Sequence, residues 1–182
     1  MTTDRERAIM LKLARDAAAA AAGGDRPPEI PDEECLKGGG GVFVTLKKEG
    51  RLRGCIGHFT GIGSVGDTIA AMAASAAVQD PRFPPVGPEE VKDLSISISL
   101  LSPMVSTDPG DVQPGVHGLY VKRGNRGGTL LPQVADEQGW DRETFLAHTC
   151  MKAGLPPNSW KDEGTEILTY TAEVFGEDSV NK

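Results

Sequence analysis

A chain of 182 residues with 19 Lys/Arg against 26 Asp/Glu carries a net charge of −7 and has a pI near 5.0. That length suits one domain, or one domain with a small lobe. The acidic balance, with no Lys/Arg run longer than two, argues against nucleic-acid binding, which needs a basic face to displace phosphate counterions. Apolar residues make up 38% and aromatics 5%, while Gly (23) and Pro (13) are frequent, so a core of Ala, Val, Ile and Leu is joined by many turns. Cys35, Cys55 and Cys150 lie far apart with no CxxC pair, a poor disulfide framework that fits a reducing cytosol. Charged residues from Asp4 to Asp16 interrupt the N-terminal apolar run, and no stretch is apolar enough to span a bilayer. A soluble, cytoplasmic protein without membrane attachment is expected.

In chain order, Thr3 or Asp4 caps a first helix whose Ile9, Leu13, Ala17 and Ala21 recur every four residues until Gly23-Gly24 ends it. Residues 23–41 are rich in Gly, Pro and acids and read as a surface connection. VFVTL (42–46), the turn KKEG and RLRGCI (51–56) form a hairpin pattern. Ser64 and Asp67 make an S-x-x-D capping signal before the Ala-rich helix TIAAMAASAAV, which Pro81 stops. DPRFPPVGPEE (80–90) is a stiff connector without regular structure. DLSISISLL (93–101) alternates Leu94, Ile96, Ile98 and Leu100 with three serines, the cleanest strand pattern in the chain. VHGLYVKR and GTLLPQV flank RGNRGG as a second hairpin. Asp141 caps the helix RETFLAHTCMKA, closed by Gly154, and TEILTYTAEVF (165–175) is a final strand. Hairpins interleaved with a few helices predict an α+β fold on a largely antiparallel sheet flanked by helices.

The stretch RLRGCIGHF (51–59) concentrates the candidate chemistry. On a regular strand, residues 53, 55 and 57 share a face, so Arg53 stands beside the Cys55 sulfur and favours its thiolate. Gly54 and Gly57 leave room for close approach by a ligand or another strand. His58 falls on the opposite face and does not activate Cys55. The plainer alternative is that Cys55 is a small buried apolar residue. His58, His117 and His148 share no metal-ligand spacing, and no metal is expected. RGNRGG has no GK[ST] and no following helix, so it is a turn rather than a phosphate loop. GIGSVG (61–66) matches the letters of a dinucleotide fingerprint but lacks the βαβ context, and no cofactor is expected. On the stiff connector, Asp80, Arg82 and Phe83 offer two charges and an aromatic to a partner at little entropic cost, unless Phe83 simply tucks into the core. Glu137, Gln138 and Trp140 are candidates for a polar pocket wall with an aromatic floor. Alternatively, Trp140 anchors a helix–helix corner. No Ser-His-Asp order or paired-carboxylate spacing is found.

RLRGCIG, DPRFPP, SLLSP, GVHGL, LLPQVADEQGW and TYTAEVFGE, in that order, resemble the AMMECR domain family from about residue 5 to 176. The resemblance implies a single domain over 5–176 with terminal tails at 1–4 and 177–182. It also implies an antiparallel sheet with helices around it, a smaller second lobe, and a site in a cleft containing the RGCIG strand. Carried onto matching positions, it points to Arg53, Gly54, Cys55 and Gly57, to Asp80, Arg82 and Phe83, to His117, and to Gln133, Glu137, Gln138 and Trp140. In bacteria and archaea such domains occur with Memo-like and radical SAM proteins, which implies a shared pathway or complex. The resemblance gives no reaction.

Two classes of function follow. The first is an accessory module that binds a partner protein, or a small ligand, in its cleft. The second is a thiol enzyme with Cys55 as nucleophile, Arg53 lowering its pKa, and His117 or Glu137 as acid or base. The absence of an acid–base constellation favours the first.

Overall fold

The computed structural model describes residues 2–177. Its elements are α1 (Asp4–Gly23), β1 (Val42–Lys48), β2 (Arg51–His58), α2 (Val65–Val78), β3 (Leu94–Leu101), β4 (Val105–Ser106), β5 (Gly118–Arg123), β6 (Arg126–Leu130), α3 (Pro132–Gln138), α4 (Arg142–Lys152), β7 (Glu166–Tyr170) and β8 (Ala172–Gly176). The fold is α+β, as expected, but the strands divide into two four-stranded sheets, β2-β1-β3-β8 and β4-β7-β5-β6. Internal contacts define two compact units. Among the described residues, one is built from 2–101 and 173–177, and the other from Ser102–Ala172.

In the first unit, α1 starts at a reciprocal cap. The Thr3 hydroxyl accepts the Glu6 N–H, and the Glu6 carboxylate accepts the Thr3 N–H at 2.7 Å. Met10, Leu13, Ala14, Ala17 and Ala18 then bury one stripe of the helix. Ala73, Ala76 and Ala77 of α2 share that core, and such small side chains allow two helices to lie close together. The Ser64/Asp67 capping box starts α2 as the sequence predicts. β1 pairs antiparallel with both β2 and β3, and the hairpin closes at Lys48 opposite Arg51 through Glu49 and Gly50, both at positive φ. Val42, Val44, Leu46, Ile96 and Ile98 are fully buried on the helix side of the sheet. Two Arg–Glu pairs hold α1 to the chain's return. Arg7 meets Glu173 at 2.9 Å, and Arg15 grips Glu177 while also donating to the Val91 and Leu94 carbonyls.

In the second unit, β4, β7 and β5 pair antiparallel, and β5 turns into β6 across Gly124-Asn125, with Arg123 opposite Arg126. Phe145, Leu146 and Cys150 of α4 pack with Leu119, Val121 and Ile167 as a separate core. Two sequence expectations change here. GTLLPQV is not one strand, because Pro132 occupies the first position of α3, where its missing N–H costs nothing. The expected strand 165–175 breaks at Thr171, whose N–H goes to the Ser102 hydroxyl and whose carbonyl accepts the Ser102 N–H. β7 and β8 therefore join different sheets. No helix among the described residues is long and apolar enough to cross a membrane.

Candidate functional site

β2 is the edge strand of its sheet, and the register around Cys55 decides what its motif can do. Thr45 faces Cys55 on one side and Ser97 on the other, so thiol and two hydroxyls form a row across β2, β1 and β3. This row lies opposite the buried Val44 and Leu46 face, because neighbouring strand residues alternate sides. The Cys55 sulfur accepts a hydrogen bond from the Thr45 hydroxyl at 3.2 Å. His58, paired with Val42, falls on the other face, as strand parity predicts.

Arg53 departs from the simple parity count. Leu46 pairs with Gly54 while Lys47 pairs with Leu52, so Arg53 is the extra residue of a β-bulge. Its guanidinium donates to Glu90 through Nε at 2.9 Å and Nη2 at 3.1 Å, and Lys48 joins the same carboxylate at 3.2 Å. The Arg53 hydrogen bonds, helped by Lys48, hold the Glu90 carboxyl down to about 2. The guanidinium drawn beside the sulfur by the sequence reading is thus committed to a carboxylate.

The DPRF connector supplies the groups that do reach Cys55. Asp80, buried at 5% exposure, accepts the Cys55 N–H at 2.8 Å. The same carboxylate accepts from the Arg82 backbone and from both Nε and Nη2 of its side chain, and Nη2 also donates to the Cys55 carbonyl at 3.1 Å. Both main-chain groups of Cys55 that a neighbouring strand would use are therefore taken by one Asp–Arg pair. Arg82 beside it holds the Asp80 carboxyl well below the usual carboxylate range. Phe83 is half-buried beneath the Arg82 guanidinium, whose carbon lies 5.6 Å from the ring centre.

The room expected beside the glycines is filled by the protein itself. A Cβ at Gly54 would overlap the Ala76 carbonyl of α2, and one at Gly57 would overlap the Phe43 ring. Gly54 therefore lets β2 sit against α2. Phe43 lies across Gly57 and meets Phe59 edge-on at 4.7 Å.

His117, Gln133, Glu137, Gln138 and Trp140 belong to the second unit. The His117 Nδ1 accepts the Gln113 N–H at 3.2 Å. Gln133, Glu137 and Gln138 are exposed along α3. Trp140 stacks on His148 of α4, with ring centres 4.0 Å apart and planes within 8°, and packs against that unit's core. It is the helix–helix corner anchor that the sequence allowed as an alternative. No group of three or more His, Cys, Asp or Glu side chains that could hold a metal ion occurs among the described residues.

The AMMECR1 family model matches residues 11–175. The chain belongs to the AMMECR1 family. A protein of Methanothermobacter thermautotrophicus is 43% identical over 182 residues, covering 95% of each chain. A Pyrococcus furiosus protein is 44% identical over 185 residues, covering 93% of this chain and 87% of that one. The crystal structure of an uncharacterized protein from Pyrococcus horikoshii is similar at a TM-score of 0.81 and 40% identity, covering 97% of this chain and 93% of that chain.

Within this AMMECR1 domain, sequence reasoning passed over Thr45, Ser97 and Glu90. The Ser95/Ser97/Ser99 alternation marks a polar face, and its pairing with Thr45 and Cys55 needs only the hairpin register. Glu90 carries no such signal, because it sits in a Pro-rich connector 37 residues from Arg53.

Proposed function

We propose that this AMMECR1 chain is a cytoplasmic accessory module that binds a partner protein of the Memo-like or radical SAM class. In this reading residues 5–176 act as one domain, and the surface carrying the RGCIG strand is the contact. One observation carries the proposal. The motif residues around Cys55 serve one another structurally: Asp80 and Arg82 take its main chain, Thr45 its sulfur, and Glu90 the Arg53 guanidinium. A preorganised surface of this kind lowers the entropic cost of binding. General acid–base chemistry needs a base within hydrogen-bond reach of the nucleophile, and the hydrogen-bond partner of the Cys55 sulfur is a hydroxyl.

The test is a pull-down of the full chain with the Memo-like and radical SAM proteins of its own organism, at low salt with their cofactors present. Retention of either partner, weakened by a charge introduced at the exposed Leu52 in L52D, is the expected result. If neither is retained, the module reading loses its main support.

A further inference from the structure

A cavity of about 310 Å³ in the second unit is lined by Ser102, Pro103, Val105, His117, Tyr170 and Thr171, among others. That is the lower end of the range in which small-molecule sites fall. The lining side chains include no carboxylate, ammonium or guanidinium, so no permanently charged group there offsets the desolvation of an ion. Pro103, Val105 and the Tyr170 ring give carbon walls.

Most of the polar groups are already spent. The Ser102 hydroxyl donates to the Pro103 carbonyl and accepts from the Thr171 N–H. The Thr169 hydroxyl is shared with Thr107 at 2.6 Å, and the Tyr170 hydroxyl donates to the Leu130 carbonyl at 3.2 Å. His117 differs. Its own N–H goes back to the Gln113 carbonyl at 2.8 Å while its Nδ1 accepts the Gln113 N–H, so the turn 113–117 fixes the ring. A neutral imidazole accepting at Nδ1 carries its proton on Nε2. No protein acceptor for that Nε2–H occurs among the described residues, and His117 is one of the residues that line the cavity. Thr171, an exposed residue, also lines the cavity, and its hydroxyl can accept as well as donate.

We propose that this cavity binds an uncharged secondary amide with a small apolar side group. The amide carbonyl accepts from His117 Nε2–H, the amide N–H donates to the Thr171 hydroxyl, and the apolar group lies between Pro103 and Val105. A neutral donor and a hydroxyl on carbon walls match an amide and disfavour a carboxylate, whose charge would enter without a counter-ion. The amide can come from a free small molecule or from an extended peptide, and the two share this chemistry.

The test titrates the full-length protein with N-acetyl-L-valine methylamide, and in a second arm with acetyl-Ala-Val-Ala methylamide, following backbone and imidazole ¹⁵N resonances. Saturable shifts at Val105, Thr171 and the His117 Nε2 are expected, about tenfold weaker affinity in H117F and T171V, and no saturation with isovalerate. Tighter binding of the longer probe supports the site and assigns a peptide; tighter binding of the shorter supports it and assigns a free molecule. A proton found on Nδ1 in the unliganded protein, isovalerate binding as well as the amides, or amide shifts unchanged in both variants would overturn the proposal.

Discussion

Asp80 and Cys55, 25 positions apart, are joined by a 2.8 Å hydrogen bond from the Cys55 N–H to a carboxylate that simultaneously holds Arg82 on the Cys55 carbonyl. An exposed edge strand invites pairing with another chain, and side-chain groups that occupy its outward N–H and C=O block that pairing. Removing the carboxylate in D80A leaves a main-chain donor unpaired and an arginine without its counter-charge. Destabilisation of about 2 kcal/mol, mostly from the unpaired main-chain donor because Arg82 is solvated, is expected from urea unfolding, with concentration-dependent association by light scattering. A loss below about 0.5 kcal/mol with no association would show that the clasp is incidental.

Acid should weaken the same region. Asp80 and Glu90 are held below their ordinary values of 3.8 and 4.5 by hydrogen bonds from Arg82 and Arg53 respectively. A carboxyl with a depressed folded pKa contributes stability that is complete above its unfolded pKa and is lost as pH falls toward the folded one. Unfolding free energy should therefore be level from about pH 7 to 5 and fall between about pH 4.5 and 2. E90Q and D80N should each flatten part of that fall, and an unchanged slope in both variants would rule these two groups out as its source.

The two motif glycines should tolerate an added methyl unequally. In G54A the new Cβ meets the Ala76 carbonyl, which is helix backbone and moves little, so a cost of about 3 kcal/mol is expected. In G57A it meets the Phe43 ring, a side chain rather than backbone, so a smaller cost is expected, and less still in an F43A background. Thermal unfolding of the four variants checks both the order and the coupling.

Thiol labelling separates the module from the enzyme. Cys150 is fully buried and burial pushes its thiol up, while Cys35 is pushed up by partial burial and by Glu6 and Glu33. Native protein at pH 7 should label Cys150 only after unfolding, and Cys55 no more than about tenfold faster than Cys35. Single-site labelling of Cys55 far ahead of both other thiols would instead support a nucleophile.

Much of the architecture was legible in the residues. Leu94, Ile96 and Ile98 alternate with serines, and β3 buries them on one side as that pattern requires. The Ser64/Asp67 and Asp141 caps start α2 and α4 where the letters stand, because a cap is satisfied within three residues. The strand break at Thr171 was not legible, since TEILTYTAEVF is β-prone throughout. Only the paired hydrogen bonds with Ser102, 69 positions away, interrupt it.

For the Cys55 stretch, the sequence by itself determined a hairpin, the opposite facing of Cys55 and His58, and the AMMECR resemblance. These follow from local propensity, period-two alternation and motif order. Only the tertiary structure decided that Arg53 bulges out of register to bind Glu90, that Asp80 and Arg82 close the strand edge, and that Ala76 and Phe43 fill the space at the glycines. Those outcomes depend on which charged and bulky groups tens of residues away arrive at β2, and partner choice across such distances has no periodic signature along the chain.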